Sequence, residues 1–357
     1  MFLLRPDAFL CVVADVIPTP TPDQDPSRAP AARPERTPLA RQVGWFGAGA
    51  VLALGLVLAR DMQADPAQPG PVAVWTADRD AQRLFGLDAD LIVARRIAVD
   101  WPLEVETTRD GGLWVLRSDD GQAGSSVRLD RFDAQGVLQT ELWLEDCIAL
   151  SVLEGEDALV LERAAGTLRL SRVRAEGSLF PLLERPDMRC VTGSRSSALV
   201  GTSTGALLRV DPHGGAILAE VQLGGAIGDV APGPTIGSAW ALDVHGTGRL
   251  LLLDEVLSVR WTAGVGHAAA HLGPVPNEER VWIAATDSAR VRRFGPGGVV
   301  EVDRQGLPAT ALDRSVAWRN GGALLLTPGA VLHVDAAGVI APGQGGFAWL
   351  SDAARVR

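Results

Sequence analysis

The chain has 357 residues, 47% of them hydrophobic and 21% charged, enough apolar material to build an extended core. Its net charge is −10, and from residue 72 onward 27 Arg stand against 36 Asp and Glu with no basic block, a poor match to a polyanion, so nucleic acid is excluded as a partner. Lys and Tyr are both absent, which removes Schiff-base and tyrosine acid–base chemistry.

Residues 1–42 include PTPTPDQDPSRAPAARPERTPLARQ, a stretch rich in Pro, Ala and charge. Such a segment buries too little apolar surface to offset its ordering entropy, so a disordered cytoplasmic tail is expected. An uncharged run, VGWFGAGAVLALGLVLA, follows at 43–59 and meets Arg60. As a helix it spans about 25 Å at 1.5 Å per residue, against a hydrocarbon core of about 30 Å. Arg60 can snorkel and Trp45 can sit at the interface, which makes 43–60 a workable single-pass transmembrane helix. Arg33, Arg36 and Arg41 precede the run, and Asp61 and Asp65 follow it closely. The positive-inside rule then keeps the tail in the cytoplasm and sends the body to the periplasmic, extracytoplasmic side. A cleaved signal peptide is the rival, with Val57-Leu58-Ala59 or Met62-Gln63-Ala64 as cleavage sites, although the leader before the apolar run is long for one. Residues 61–71, DMQADPAQPGP, read as a polar linker.

From residue 72 to residue 357 one pattern repeats: an apolar run, a polar turn, an alternating strand, then a Gly-centred turn into another strand. GLWVLRSDD…VRLDRFDAQGV at 112–137 and ERVWIAATDSARVRRFGPGGVV at 279–300 show it most plainly. Equivalent second strands are placed at Trp75, Trp114, Val160, Val200, Trp240, Trp282 and Leu325, spaced 39 to 46 residues apart. A period of about 40–45 with four short strands per unit is the signature of a β-propeller, because one unit cannot bury its own faces. The body begins at VAVWTADRD, already a second strand. Its missing first strand is supplied by GGFAWLSDA at 345–353, which closes the ring and removes two sheet edges. The expectation is an all-β fold of seven blades, with six or eight left open because unit 148–184 is weakly patterned.

RVWIAATDSARVRRFGPGG resembles the NHL repeat, with its apolar–aromatic–apolar strand, Ala-containing turn and Arg-Val strand. GLWVLRSDD…VRLDRFDAQG is a looser copy, and LLRVDPHGGAILAEVQL looks more like strands of YVTN-type propellers. The resemblance implies a fold rather than an activity. Calcium-dependent propellers similar to the SMP-30 lactonases would need a channel set of Glu, Asn and Asp, oxygen ligands suited to a hard cation. The only asparagines here are Asn277 and Asn320, and neither falls clearly beside such carboxylates.

Glu104, Glu106, Asp229 and Asp313 sit in or near inner strands and are channel candidates, as are His267 and His271 of GHAAAH. On one strand face the two histidines stand about 13 Å apart, too far for one ion. Cys147 and Cys190 open consecutive first strands and form a candidate inter-blade disulfide if the body lies in an oxidising compartment. Trp75, Trp114, Trp240 and Trp282 recur at one point of the unit and so belong between blades. Trp101, Trp143, Trp261 and Trp318 fall near strand ends and are rim candidates. The expected function is a membrane-anchored interaction module that takes a protein or glycan partner at the propeller face, with no resident cofactor. The alternative is a divalent-metal hydrolase or lyase of the lactonase type, with its site in the channel.

Overall fold

The computed structural model describes residues 70–355, apart from 120–125, 154, 165, 195, 247, 267–268, 286–289, 306–313, 328, 346 and 348–349. The expected tail 1–42, the apolar segment 43–60, most of the linker 61–71, and His267 and Asp313 all lie outside the described residues. Among those that are described, no helix is long and apolar enough to cross a membrane.

The described chain folds into seven four-stranded antiparallel sheets, each of them one blade. Blade 1 contains β1 (Val74–Asp78), β2 (Arg83–Leu87) and β3 (Val93–Ala98). Blade 2 is β4 (Pro102–Thr107), β5 (Leu113–Ser118), β6 (Val127–Phe132) and β7 (Leu138–Leu144). Blade 3 is β8 (Cys147–Val152), β9 (Ala158–Ala164), β10 (Thr167–Val173) and β11 (Leu179–Glu184). Blade 4 is β12 (Met188–Gly193), β13 (Ala198–Thr202), β14 (Ala206–Val210) and β15 (Ile217–Gln222). Blade 5 is β16 (Ile227–Pro232), β17 (Ala239–Asp243), β18 (Arg249–Leu253) and β19 (Val259–Gly264). Blade 6 is β20 (Ala269–Pro274), β21 (Val281–Ala285), β22 (Arg290–Phe294) and β23 (Val300–Arg304). Blade 7 is β24 (Arg314–Ala317), β25 (Ala323–Thr327), β26 (Ala330–Val334) and β27 (Ile340–Gly345), and β28 (Leu350–Arg355) returns to pair with β1 as the inner strand of blade 1.

The inner strands β4, β8, β12, β16, β20, β24 and β28 each lie against the next, β28 against β4 included, so the ring is closed. Seven blades are therefore present, closed by the C-terminal strand as expected. The closing strand lies later than the sequence suggested. It is Leu350–Arg355 rather than 345–353, because Gly345 still belongs to β27.

Burial falls outward across each blade. The second strands β1, β13, β17 and β25 are buried at every position, which is why they read as continuous apolar runs rather than alternating ones. Fourth strands such as β15 and β19 alternate between exposed and half-buried positions. Seven clusters of buried side chains form the core, and each spans two neighbouring blades.

Strand register corrects the phase of the repeat. Trp114 pairs with Arg131 one residue inside the end of its hairpin, and the matching positions are Leu159, Leu199 and Leu324. Val160, Val200 and Leu325 are each one residue out of phase, and a one-residue slip sends a side chain to the other face. With the phase corrected, Trp75, Trp114, Leu159, Leu199, Trp240, Trp282 and Leu324 each fall in a different inter-blade cluster. Inter-blade packing of the tryptophans is thereby established.

Turn chemistry repeats as well. Asp88, Asp133, Asp254 and Asp335 each accept the N–H groups two and four residues ahead, fixing the turn between third and fourth strands. These aspartates are turn caps.

Candidate functional site

The inner strands β4, β8, β12, β16 and β20 share one irregularity near their start: a bulge that leaves a single residue unopposed in the ladder. The unopposed residues are Leu103, Ile148, Arg189, Gly228 and Ala270. A bulge of this kind bends the strand and re-aims its side chains. The residue after each bulge is again paired, which puts Glu104, Ala149, Cys190, Asp229 and His271 at one register level around the axis. Arg314 and Asp352 hold that level in blades 7 and 1.

A cavity of about 820 Å³ runs along this wall and is lined by Glu104, Glu106, Arg189, Cys190, Asp229 and His271 among others. That volume lies within the ordinary range for a small-molecule site. Its hydroxyl-bearing wall includes Thr107, Ser151, Thr192, Ser194, Ser238 and Ser315. The loop from Gly233 to Ser238 also borders it, pinned by Ser238 Oγ, which accepts from Thr235 N at 2.9 Å and donates to Thr235 O at 2.7 Å. That loop holds Ile236 at 71% exposure.

Four of the six candidate site residues thus come together on one wall. Two of them have a clear structural task. Glu104 Oε2 accepts the backbone N–H of Leu150 at 3.0 Å, and Asp229 Oδ2 accepts that of Leu272 at 2.8 Å. Leu150 and Leu272 follow the shared register level in the next blade, so both carboxylates tie one blade to its neighbour in the same way. Asp229 Oδ1 also accepts its neighbour Val230 N–H at 2.8 Å, and His271 Nδ1 stands 3.9 Å from Asp229 Oδ2. In blade 3 the role passes to Ser151 Oγ, which accepts Gly193 N–H at 2.9 Å. Replacing Asp229 with Ala strands the Leu272 N–H and is expected to cost about 1–3 kcal/mol in urea unfolding. Glu104→Gln keeps an acceptor for Leu150 and is expected to cost less than about 1 kcal/mol in the same measurement.

Among the described residues, no three His, Cys, Asp or Glu side chains gather as an ion site. Of the carboxylates that a lactonase-like set would draw on, Glu104 and Asp229 accept backbone N–H groups.

Cys147 and Cys190, the candidate disulfide, are both free thiols. Register explains why they do not face each other. Cys147 lies before its bulge and matches Met188, whereas Cys190 lies after its bulge and matches Ala149. Cys147 Sγ approaches Ala149 O at 3.3 Å and Cys190 Sγ approaches Ile227 O at 3.8 Å, so each thiol has a different neighbour. Burial pushes both thiols well above the ordinary range, with Glu104 adding to the rise for Cys147 and Asp229 for Cys190. Thiols held this way are poor nucleophiles.

No family model matches the sequence, and no curated protein matches it. Among solved structures, BamB from Moraxella catarrhalis is similar with a TM-score of 0.52 and 15% identity, covering 80% of this chain and 86% of that one. A functionally unknown protein from Desulfotomaculum acetoxidans DSM 771 gives a TM-score of 0.59 at 11% identity, covering 78% of this chain and 96% of that one. The shared feature is the propeller. At such identities the likeness carries the fold and no activity.

The rim candidates divide. Trp318 is 5% exposed and belongs to the core between blades 7 and 1. Trp261 is half-buried and donates from Nε1 to Glu279 Oε1 at 2.7 Å. Trp143 is 53% exposed on the outermost strand of blade 2, under the Arg128 guanidinium at 4.9 Å. None of the three lines the cavity. The residue that sequence reasoning missed is Arg189. Its signal was a charge in an inner strand where aligned units carry Leu, Ile, Gly and Ala, and that signal was hidden until the bulge fixed the alignment.

Proposed function

We propose that this protein is a membrane-anchored propeller of NHL-like repeats that displays its body on the extracytoplasmic side and receives a ligand or protein partner at the axial cavity and its mouth. The carrying observation is where the repeats agree and where they diverge. Turn caps recur from blade to blade, whereas one register level of the cavity wall changes from Glu104 to Ala149, Cys190, Asp229 and His271 around the ring, and the bulge before it from Leu103 to Ile148, Arg189, Gly228 and Ala270. Positions serving the fold repeat. Positions free to differ are available for recognition.

The anchor rests on the apolar run 43–59 behind three arginines, and the body is reached through a polar linker. The mouth offers a rigid loop with Ile236 at its tip, an arrangement suited to an apolar contact inside a polar rim. Two measurements on the full chain in cells test the reading. External protease is expected to digest the body while residues 1–42 stay protected, and a protected body would overturn the orientation. A photo-crosslinker at Ile236 is expected to capture a partner that one at Val259, on an outer strand, does not. Equal capture at both positions, or none at Ile236, would sink the mouth as the binding face.

A further inference from the structure

We infer that the axial cavity takes a small zwitterion of the short-peptide kind, with Arg189 receiving its carboxylate and the Glu104–Glu106 wall facing its ammonium group. The inference rests on the cavity being the ligand site.

Arg189 is exposed to the cavity and makes no hydrogen bond or ion pair among the described residues. That sets it apart from the arginines around it. Arg172 pairs with Asp157, Arg185 with Asp187 and Glu220, and Arg209 donates to the carbonyls of Glu255 and Gly237. Nor does the fold ask for a cation here. The same bulge is occupied by Leu103, Ile148, Gly228 and Ala270 in four other blades, so its backbone geometry is indifferent to side-chain chemistry. A guanidinium at an unopposed position, with its planar fork of donors directed into an open cavity, matches a carboxylate in geometry and charge.

The rest of the wall adds the opposite sign. Glu104, Glu106 and Asp229 line the same space as Arg189, so the lining presents both signs of charge to a ligand. Glu104 and Glu106 stand in blade 2 and Arg189 in blade 4, with uncharged Ile148 and Ala149 between them in blade 3. Opposite charges two blades apart across an apolar patch are complementary to a molecule carrying an ammonium group and a carboxylate at its two ends. Thr192, farther along the same strand, adds a hydroxyl group to the lining for the polar atoms between.

The test uses the immobilised full chain and a library of free tripeptides, run beside the same library N-acetylated and again C-amidated, with retained mass as the readout. Free tripeptides are expected to be retained, and each block to lower retention at least tenfold. Arg189→Leu is expected to abolish the preference for a free carboxylate without moving the urea midpoint, since Leu already occupies this position in blade 2. Should that variant prove unstable, Arg189→Gln carries the comparison. Arg83→Leu, outside the cavity, is expected to bind like the wild type. No retained tripeptide, equal retention of the amidated or acetylated library, or wild-type selectivity in both Arg189 variants overturns the inference. A failure here with the Ile236 crosslink intact removes only the zwitterion, whereas loss of both removes the cavity as the site.

Discussion

A chain ending at Gly345 is expected not to fold. It lacks β28, the inner strand of blade 1, whose partners run from Val74 with Arg355 to Thr76 with Ala353 and on toward Asp78. Without it, β1 becomes an open edge, and the packing of β28 on β4 and β24 is lost together with ring closure. A domain is stable by about 5–15 kcal/mol in all, and losing one of seven inner strands is expected to remove more than about 5 kcal/mol of that. The measurement is urea unfolding followed by circular dichroism, with loss of a cooperative transition as the expected result. A permuted chain separates loss of the strand from loss of its position. Fusing residues 346–357 in front of 70–345 leaves residues 356–357 and 70–73 as a six-residue loop between β28 and β1. The corresponding loops between β16 and β17, and between β20 and β21, have that same length. The permuted chain is expected to unfold cooperatively with a midpoint near that of residues 70–357. If the truncated chain also unfolds cooperatively at that midpoint, closure by β28 contributes little and the account of the ring is wrong.

Much of this architecture was legible because a propeller repeats its physics. The apolar second strands, the Asp and Gly turns and the roughly forty-residue period all recur, and seven blades follow from counting them. Phase was harder to read. Val160, Val200 and Leu325 were aligned with the tryptophans, but in blades without Trp two adjacent aliphatic residues look alike and only the ladder separates them. The same one-residue ambiguity explains the thiols. Cys147 and Cys190 both open a first strand, yet a bulge lies after one and before the other. Glu104, Glu106, Asp229 and His271 line one cavity, since the inner strands of the blades share the axis. What Glu104 and Asp229 do there depends on a backbone N–H in the next blade, about 45 residues away at the repeat spacing, and no local pattern reveals it. Arg189 stayed hidden for a related reason: an unpaired side chain is defined by contacts it does not make.

Trp114→Ala is expected to cost about 3–5 kcal/mol, the range for emptying a buried aromatic site. Trp114 is fully buried between blades 2 and 3, packed with Leu150, Val152 and Val160. Its indole Nε1 donates to Glu156 O at 2.6 Å, in the first loop of blade 3, and Trp282 Nε1 makes the equivalent bond to Gly321 O of blade 7 at 3.1 Å. The ring therefore does two things, filling volume and supplying a hydrogen bond across the interface. Trp240 separates them. It occupies the equivalent position with the same complete burial, yet its Nε1 is buried with no hydrogen-bond partner among the described residues. Its ring meets the edge of Trp261 instead, with centroids 5.4 Å apart. Trp→Phe at each site removes the N–H while keeping an aromatic ring. At Trp114 the change strands Glu156 O and loses a bond, whereas at Trp240 it removes an unsatisfied buried donor that already costs about 1–3 kcal/mol. The two Phe variants are thus expected to differ by about 1–3 kcal/mol in urea unfolding, with Trp114→Phe the less stable. Comparing two equivalent sites cancels most of the volume change common to both. Equal losses would mean that the indole bond adds nothing across the interface, leaving packing alone to join the blades.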